Sequence, residues 1–234
     1  MLFAAGLSFV AIAAPSGQAQ DVSVAEGRDL FVASCASCHG VEGTGTTYGP
    51  PIADTGAAAA DFQLRTGRMP LADPAEQTLR KPPAFSPEQI ESLVAYVASL
   101  GDGPPVPSVT LEGADVALGQ QIFVANCAAC HGATANGGVA GDEALAPSLY
   151  DSFPIDVVEA TITGPGEMPV FAFDPEERNA VAAFIDYLQN ESAPGGADIG
   201  GVGPVPEGFV AWAVGMSALA LVCYVIGAGL GRKS

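Results

Sequence analysis

Gly27-Arg28-Asp29-Leu30-Phe31-Val32-Ala33-Ser34-Cys35-Ala36-Ser37-Cys38-His39-Gly40 returns later in the chain as Gly119-Gln120-Gln121-Ile122-Phe123-Val124-Ala125-Asn126-Cys127-Ala128-Ala129-Cys130-His131-Gly132. The two Cys-x-x-Cys-His pentapeptides hold four of the five cysteines and both histidines of the 234 residues. This spacing is that of covalent haem c attachment. The thiols bond to the porphyrin edge and the imidazole takes the iron from one face. On one helical turn the two Cys and the His can all address a single flat cofactor. A bare Cys-x-x-Cys also suits zinc or thiol redox chemistry. A four-cysteine zinc site, however, would leave both histidines as coincidence. The expected cofactors are two covalently bound haem c groups, one on Cys35, Cys38 and His39, the other on Cys127, Cys130 and His131.

The repetition extends outward from these stretches. Gly49-Pro50-Pro51-Ile52 matches Ala146-Pro147-Ser148-Leu149, and Thr66-Gly67-Arg68-Met69-Pro70 matches Thr163-Gly164-Pro165-Gly166-Glu167-Met168-Pro169. The segment from Ser86 to Leu100 matches that from Asp174 to Leu188. Four blocks recur in one order, the mark of a duplicated domain. A turn-rich connector, Gly101-Asp102-Gly103-Pro104-Pro105-Val106-Pro107, separates the copies. The expected division is a first domain over 21–103, a linker over 104–112, a second domain over 113–192 and a Gly/Pro linker over 193–208. A membrane helix follows over 209–231.

Each copy reads as mainly helical. The first helix of each is expected to carry Cys-x-x-Cys-His at its C-terminal end, with Gly40 or Gly132 as the stop. Ser86-Pro87-Glu88 and Asp174-Pro175-Glu176 read as helix starts: a cap, Pro at the first helical position, then an acid. The helices that follow align Ile90, Leu93, Val94 and Val97, and Val181, Phe184, Ile185 and Leu188, on one apolar face. The Gly/Pro-rich middle of each copy is expected to be loop around the haem edge.

The second face of each iron needs a ligand, and thioether sulfur is a suitable one that raises the reduction potential. Of the four methionines, Met1 starts the chain and Met216 lies in the membrane segment. The other two are Met69 and Met168, each before Pro and each at the matching point of its repeat. A lone core methionine is ordinarily a gap filler; a matched pair with no other methionine in the soluble part reads instead as two axial ligands. Pro50 and Pro147 lie a short loop after each histidine, where a carbonyl could take the second imidazole N–H, although ordinary turn prolines fit equally well. Arg65 and Arg68 flank Met69 and could meet haem propionates, but the second repeat has no arginine there. Arg80-Lys81-Pro82-Pro83 reads as an exposed loop, with partner docking as its alternative.

The formal net charge of −18, with eight Lys and Arg, disfavours nucleic acid as a partner. It also disfavours a carrier steered by a ring of lysines. Val210 to Leu230 is uncharged and long enough to span a bilayer, with Arg232-Lys233 after it. Basic flanks favour the cytoplasmic side, so the haem domains are expected outside the cytoplasm at the cell membrane and the C-terminus inside. Cys223 within this span reads as apolar packing. Residues 1–20 read as a short or truncated signal or anchor, since Leu2–Ala14 is apolar but no Lys or Arg precedes it. No nucleophile or general base stands out, so no independent catalytic site is expected.

The duplicated domain, TGRMP, RKPPAF and the C-terminal anchor resemble the dihaem cytochrome cc subunit of the cytochrome bc complex, respiratory complex III, of high-GC Gram-positive bacteria. The resemblance implies two tandem class I cytochrome c domains plus a C-terminal transmembrane helix. It implies a subunit of a quinol–cytochrome c reductase, partnered by cytochrome b, a Rieske iron–sulfur subunit and the copper-containing subunit of an aa-type cytochrome c oxidase. The first haem (Cys35, Cys38, His39, Met69) would accept electrons from the Rieske centre, and the second (Cys127, Cys130, His131, Met168) would deliver them to copper. The alternatives are a dihaem subunit or carrier of another oxidase or dehydrogenase, and a dihaem redox enzyme such as a peroxidase. The latter needs an open iron site, against which the two methionines argue.

Overall fold

A computed structural model describes residues 16–141, 144–191 and 204–231. Residues 1–15, most of the expected N-terminal segment, lie outside the described residues, as do 192–203 of the expected linker and the basic pair Arg232-Lys233. The chain divides into two compact units, Met1–Val106 and Pro107–Ser234.

The first unit contains α1 (Ser16–Ser34), α2 (Ala36–His39), α3 (Gly56–Arg65) and α4 (Pro87–Ala98). Helix α1 packs on α4, and α4 on α3. The α1–α4 crossing depends on Gly27. A Cβ at that position would run into the Ser92 carbonyl and meet the Tyr96 Cβ at 2.9 Å. One helical turn along α1, Phe31 meets Tyr96 with ring centroids 5.2 Å apart and tilted by 56°. Phe31 is fully buried, and a buried side chain of this size contributes roughly 1.5–3 kcal/mol. Leu64, Ile90, Leu93 and Val97 complete this core. The Tyr96 hydroxyl donates to the Val41 carbonyl at 3.1 Å, which ties α4 to the loop after α2.

The second unit repeats the arrangement with α5 (Val116–Asn126), α6 (Ala128–His131), α7 (Pro154–Thr163) and α8 (Pro175–Asn190). Here α5 packs on α8 and α7 on α8. A Cβ at Gly119 would strike the Ala180 carbonyl and meet the Phe184 Cβ at 2.9 Å. Phe123 and Phe184 stand 5.4 Å apart with a 54° tilt. The two crossings are therefore the same solution built from different residues. Val109 and Leu111, within the expected linker 104–112, pack on the second core.

Several expectations hold in detail. Ser86 and Asp174 each accept from the N–H three residues on, while Gln89 and Glu177 reach back, forming full capping boxes with Pro in the first turn. Ile90, Leu93 and Val97 are buried, as are Val181, Phe184 and Ile185. Gly40 and Gly132 adopt left-handed φ of 77° and 76°. Two expectations change. Cys-x-x-Cys-His is not the end of the first helix: the chain turns at Cys35 and Cys127, and the short α2 and α6 follow. The middle of each copy is not only loop. Four successive alanines make α3, where helix propensity outweighs the surrounding glycines, and Pro154 opens α7.

Among the described residues, strands occur only in the second unit, as β1 (Gly138–Val139) paired antiparallel with β2 (Leu145–Ala146). Helix α9 (Pro204–Gly231) begins inside the expected linker, and its 21 residues Gly208–Ala228 are long and apolar enough to cross a membrane.

Candidate haem sites

The loop after each Cys-x-x-Cys-His is built by matched hydrogen bonds. The Gly45 N–H donates to the His39 carbonyl at 2.7 Å, and the Gly137 N–H to the His131 carbonyl at 2.8 Å. The Ile52 N–H donates to Gly43 at 2.7 Å, and the Leu149 N–H to Ala135 at 2.8 Å. Gly43 and Ala135 hold equivalent left-handed turns, with φ of 68° and 60°. Close approach also matters. A Cβ on Gly49 would lie 2.9 Å from the Cys38 carbonyl oxygen, and one on Gly138 2.7 Å from that of Cys130.

These loops deliver a carbonyl to each imidazole. His39 Nδ1 lies 2.8 Å from the Pro50 carbonyl, and His131 Nδ1 lies 3.0 Å from that of Pro147. A carbonyl can only accept, so Nδ1 carries the proton and Nε2 keeps its lone pair for a metal. Of the two readings of Pro50 and Pro147, the structure selects the acceptor. Burial pushes the His131 imidazole below the ordinary histidine range, and the bond to Pro147 offsets part of that shift. The ring is thereby held in the neutral form that ligates.

None of the four motif cysteines is in a disulfide. Burial, and secondarily the neighbouring Cys38, raises the Cys35 thiol to about 11. Burial and then Cys130 raise Cys127 to about 11. Zinc holds thiolates, and burial disfavours the thiolate at Cys35 and Cys127. Among the described residues no three His, Cys, Asp or Glu side chains gather as a metal cluster. The donor set fits a c-type haem: a pair of thiols for the porphyrin edge and an oriented imidazole for the iron.

Met69 follows α3 after the left-handed Gly67, and its N–H donates to the Gln63 carbonyl at 3.0 Å. Met69 and Cys35 border the same apolar cluster. Met168 follows α7 after the left-handed Gly164, half-buried, with its N–H on the Pro165 carbonyl at 3.2 Å. It is not among the residues packed on the second core, so the structure brings methionine and cysteine to one cluster only in the first repeat.

The arginines flanking Met69 have contacts within the first unit. Arg65 pairs with Asp61 at 2.9 Å, one turn back on α3. Arg68 is buried with its guanidinium 4.7 Å from the centre of the Phe62 ring. The Arg80-Lys81-Pro82 stretch is not merely exposed loop. The Lys81 N–H donates to the Thr66 carbonyl at 3.1 Å, and the Lys81 carbonyl lies so close to Gly67 that a Cβ there would collide with it. Backbone from this stretch thus buttresses the turn before Met69. Positional reading of charge could not reveal that; the signal available was Gly67 itself.

Residues 24–101 match the model described as cytochrome c, and residues 114–185 match that described as cytochrome C oxidase, cbb3-type, subunit III. The cytochrome bc1 complex cytochrome c subunit of Mycobacterium leprae is 37% identical over 85% of this chain and 73% of that protein. Its counterpart in Mycobacterium tuberculosis is 35% identical over 97% of this chain and 87% of that protein. That of Corynebacterium diphtheriae is 33% identical over 92% and 84%. This chain belongs to the cytochrome bc1 complex cytochrome c subunit family. As a family member with two cytochrome c domains, it carries two covalently bound c-type haems. The cbb3-type oxidase subunit FixP of Bradyrhizobium diazoefficiens is also similar, at 30% identity over 70% of this chain and 60% of that protein. The bc1 relatives exceed it in both identity and extent, so the reading as a subunit of another oxidase is not favoured.

Proposed function

We propose that this chain is the membrane-tethered dihaem electron-transfer subunit of a quinol–cytochrome c reductase, the cytochrome bc complex. It passes electrons from the Rieske iron–sulfur centre through its two haems to an aa-type cytochrome c oxidase. The observation that carries this reading is the pair of Cys-x-x-Cys-His turns with identically locked imidazoles, in a chain related over most of its length to bc1 cytochrome c subunits.

Haem c supplies a reversible one-electron change at iron, and the chain's residues set the conditions for it. Cys35 and Cys38, and Cys127 and Cys130, would hold the two porphyrins by thioether bonds. His39 and His131 would present Nε2 to iron, their rings aimed by the carbonyls of Pro50 and Pro147. Met69 and Met168 would fill the opposite positions and leave no vacancy for a peroxide or other substrate. The chain then conducts and does not catalyse; the reductase activity belongs to the assembly with cytochrome b and the Rieske protein. The span Gly208–Ala228 would hold the haem domains at the membrane surface, outside the cytoplasm, with Arg232 and Lys233 inside.

A tagged pull-down from native membranes in mild detergent tests the assignment. Recovery of cytochrome b, a Rieske protein and a copper oxidase, with quinol-driven oxygen uptake, is expected. Recovery with a dehydrogenase alone would leave two haems and overturn the complex.

A further inference from the structure

The two repeats differ at one place near the haem-binding turns. His39 is 11 residues before its carbonyl partner Pro50, whereas His131 is 16 residues before Pro147. Hydrogen bonds on either side are matched: Gly45 with Gly137, and Ile52 with Leu149. The five extra residues therefore lie between Gly137 and Pro147, the stretch that contains β1 and β2. The Ala140 N–H to the Ala144 carbonyl, at 2.8 Å, continues its ladder beyond Val139 and Leu145.

This hairpin has an inward and an outward side. Val139 and Leu145 are direct cross-strand partners, so their side chains share one face. They are 67% and 55% exposed, whereas Ala146, next along β2, is buried. The feet of the hairpin both rest on His131: Gly137 bonds its carbonyl at 2.8 Å, and Pro147 holds its ring at 3.0 Å. The strands thus present a bulky apolar pair on an element whose two feet bond to the expected iron ligand. Single exposed apolar residues need no explanation; a paired set on an inserted element anchored to the histidine does.

Charge indicates what covers it. Residues 21–103 hold eleven acids and five bases, but residues 113–192 hold twelve acids and one base, Arg178. A partner meeting the second repeat encounters a field of one sign. Electron-transfer contacts are small and short-lived, resting on a compact apolar centre with charge complementarity around it.

We propose that the Val139–Leu145 face of β1 and β2 is the docking element for the protein that withdraws electrons from the second repeat, a partner whose face is apolar at its centre and ringed by Lys and Arg. This rests on the electron-transfer role proposed above and adds the surface and the chemistry of the acceptor. The first repeat lacks the insertion and serves a different partner.

The test uses the full chain in its native membranes, carrying Val139→Thr with Leu145→Thr, which keeps β propensity and removes the apolar face. Val124→Thr, an exposed position on α5, is the control. Haem spectra, quinol-driven haem reduction and re-oxidation on adding oxygen are followed separately. In the double variant, reduction should match wild type while re-oxidation slows roughly tenfold. The Val124→Thr chain should behave as wild type. Wild-type re-oxidation should also slow as salt rises. Re-oxidation within about twofold of wild type overturns the docking element and leaves the electron-transfer role standing. Slowing that comes with loss of cytochrome b, or with a changed oligomeric state, also overturns it, because the hairpin would then seat another chain. Failure of quinol to reduce the wild-type haems sinks both proposals.

Discussion

Two carbonyls orient the chemistry at the residue scale. Pro50 and Pro147 stand at unequal distances in sequence from their histidines, yet each lies within hydrogen-bonding reach of Nδ1. The sequence supplied the prolines and histidines but left the acceptor and ordinary-turn readings balanced, because loop closure depends on Gly43, Ala135 and the bonds they receive. The methionines were singled out by duplication alone, and their proposed ligation carries the sharpest prediction at this scale. In Met168→Ala the second haem should stay attached, lose thioether ligation and fall in potential, while the first haem is unchanged. Redox titration with absorbance spectra checks this, and an unaltered second haem would remove Met168 from the iron. The second repeat is the stricter test, since Met168 is absent from its core cluster whereas Met69 joins that of the first.

Helix pairs, at the element scale, are held by glycines whose role no motif announces. Gly27 and Gly119 sat inside the quoted repeat, but only the crossing shows that they admit a carbonyl from the opposing helix. Gly119→Ala should push α5 from α8 and destabilise the second domain by about 2 kcal/mol, which lowers its melting temperature by roughly 10 °C. A melt unchanged within error would mean that the crossing tolerates a methyl. The caps, by contrast, were readable from Ser-Pro-Glu and Asp-Pro-Glu because their bonding is local. Asp174→Ala, which removes the acceptor for the Glu177 N–H at 2.9 Å, should cost about 1 kcal/mol in denaturant unfolding. Helix α3 and the hairpin escaped sequence reading for opposite reasons. An alanine run has propensity but no amphipathic stripe, and strands of two residues are too short for alternation to register.

For the whole molecule, a duplicated domain and an apolar terminal segment could be read directly because both are long patterns. The proposed function makes the membrane span Gly208–Ala228 part of the electron path's design. A chain ending at residue 203 should keep both haems but should not restore quinol-driven oxygen uptake; haem spectra and oxygen electrode traces check it. The most direct test of the central claim is rapid mixing of a quinol with the purified native assembly, following both haems of this chain before and after oxygen is admitted. The account predicts that both haems reduce through the Rieske protein and both re-oxidise during turnover at the rate of oxygen uptake. Haems that remain oxidised with quinol, or that reduce but stay reduced while oxygen is consumed, would contradict it.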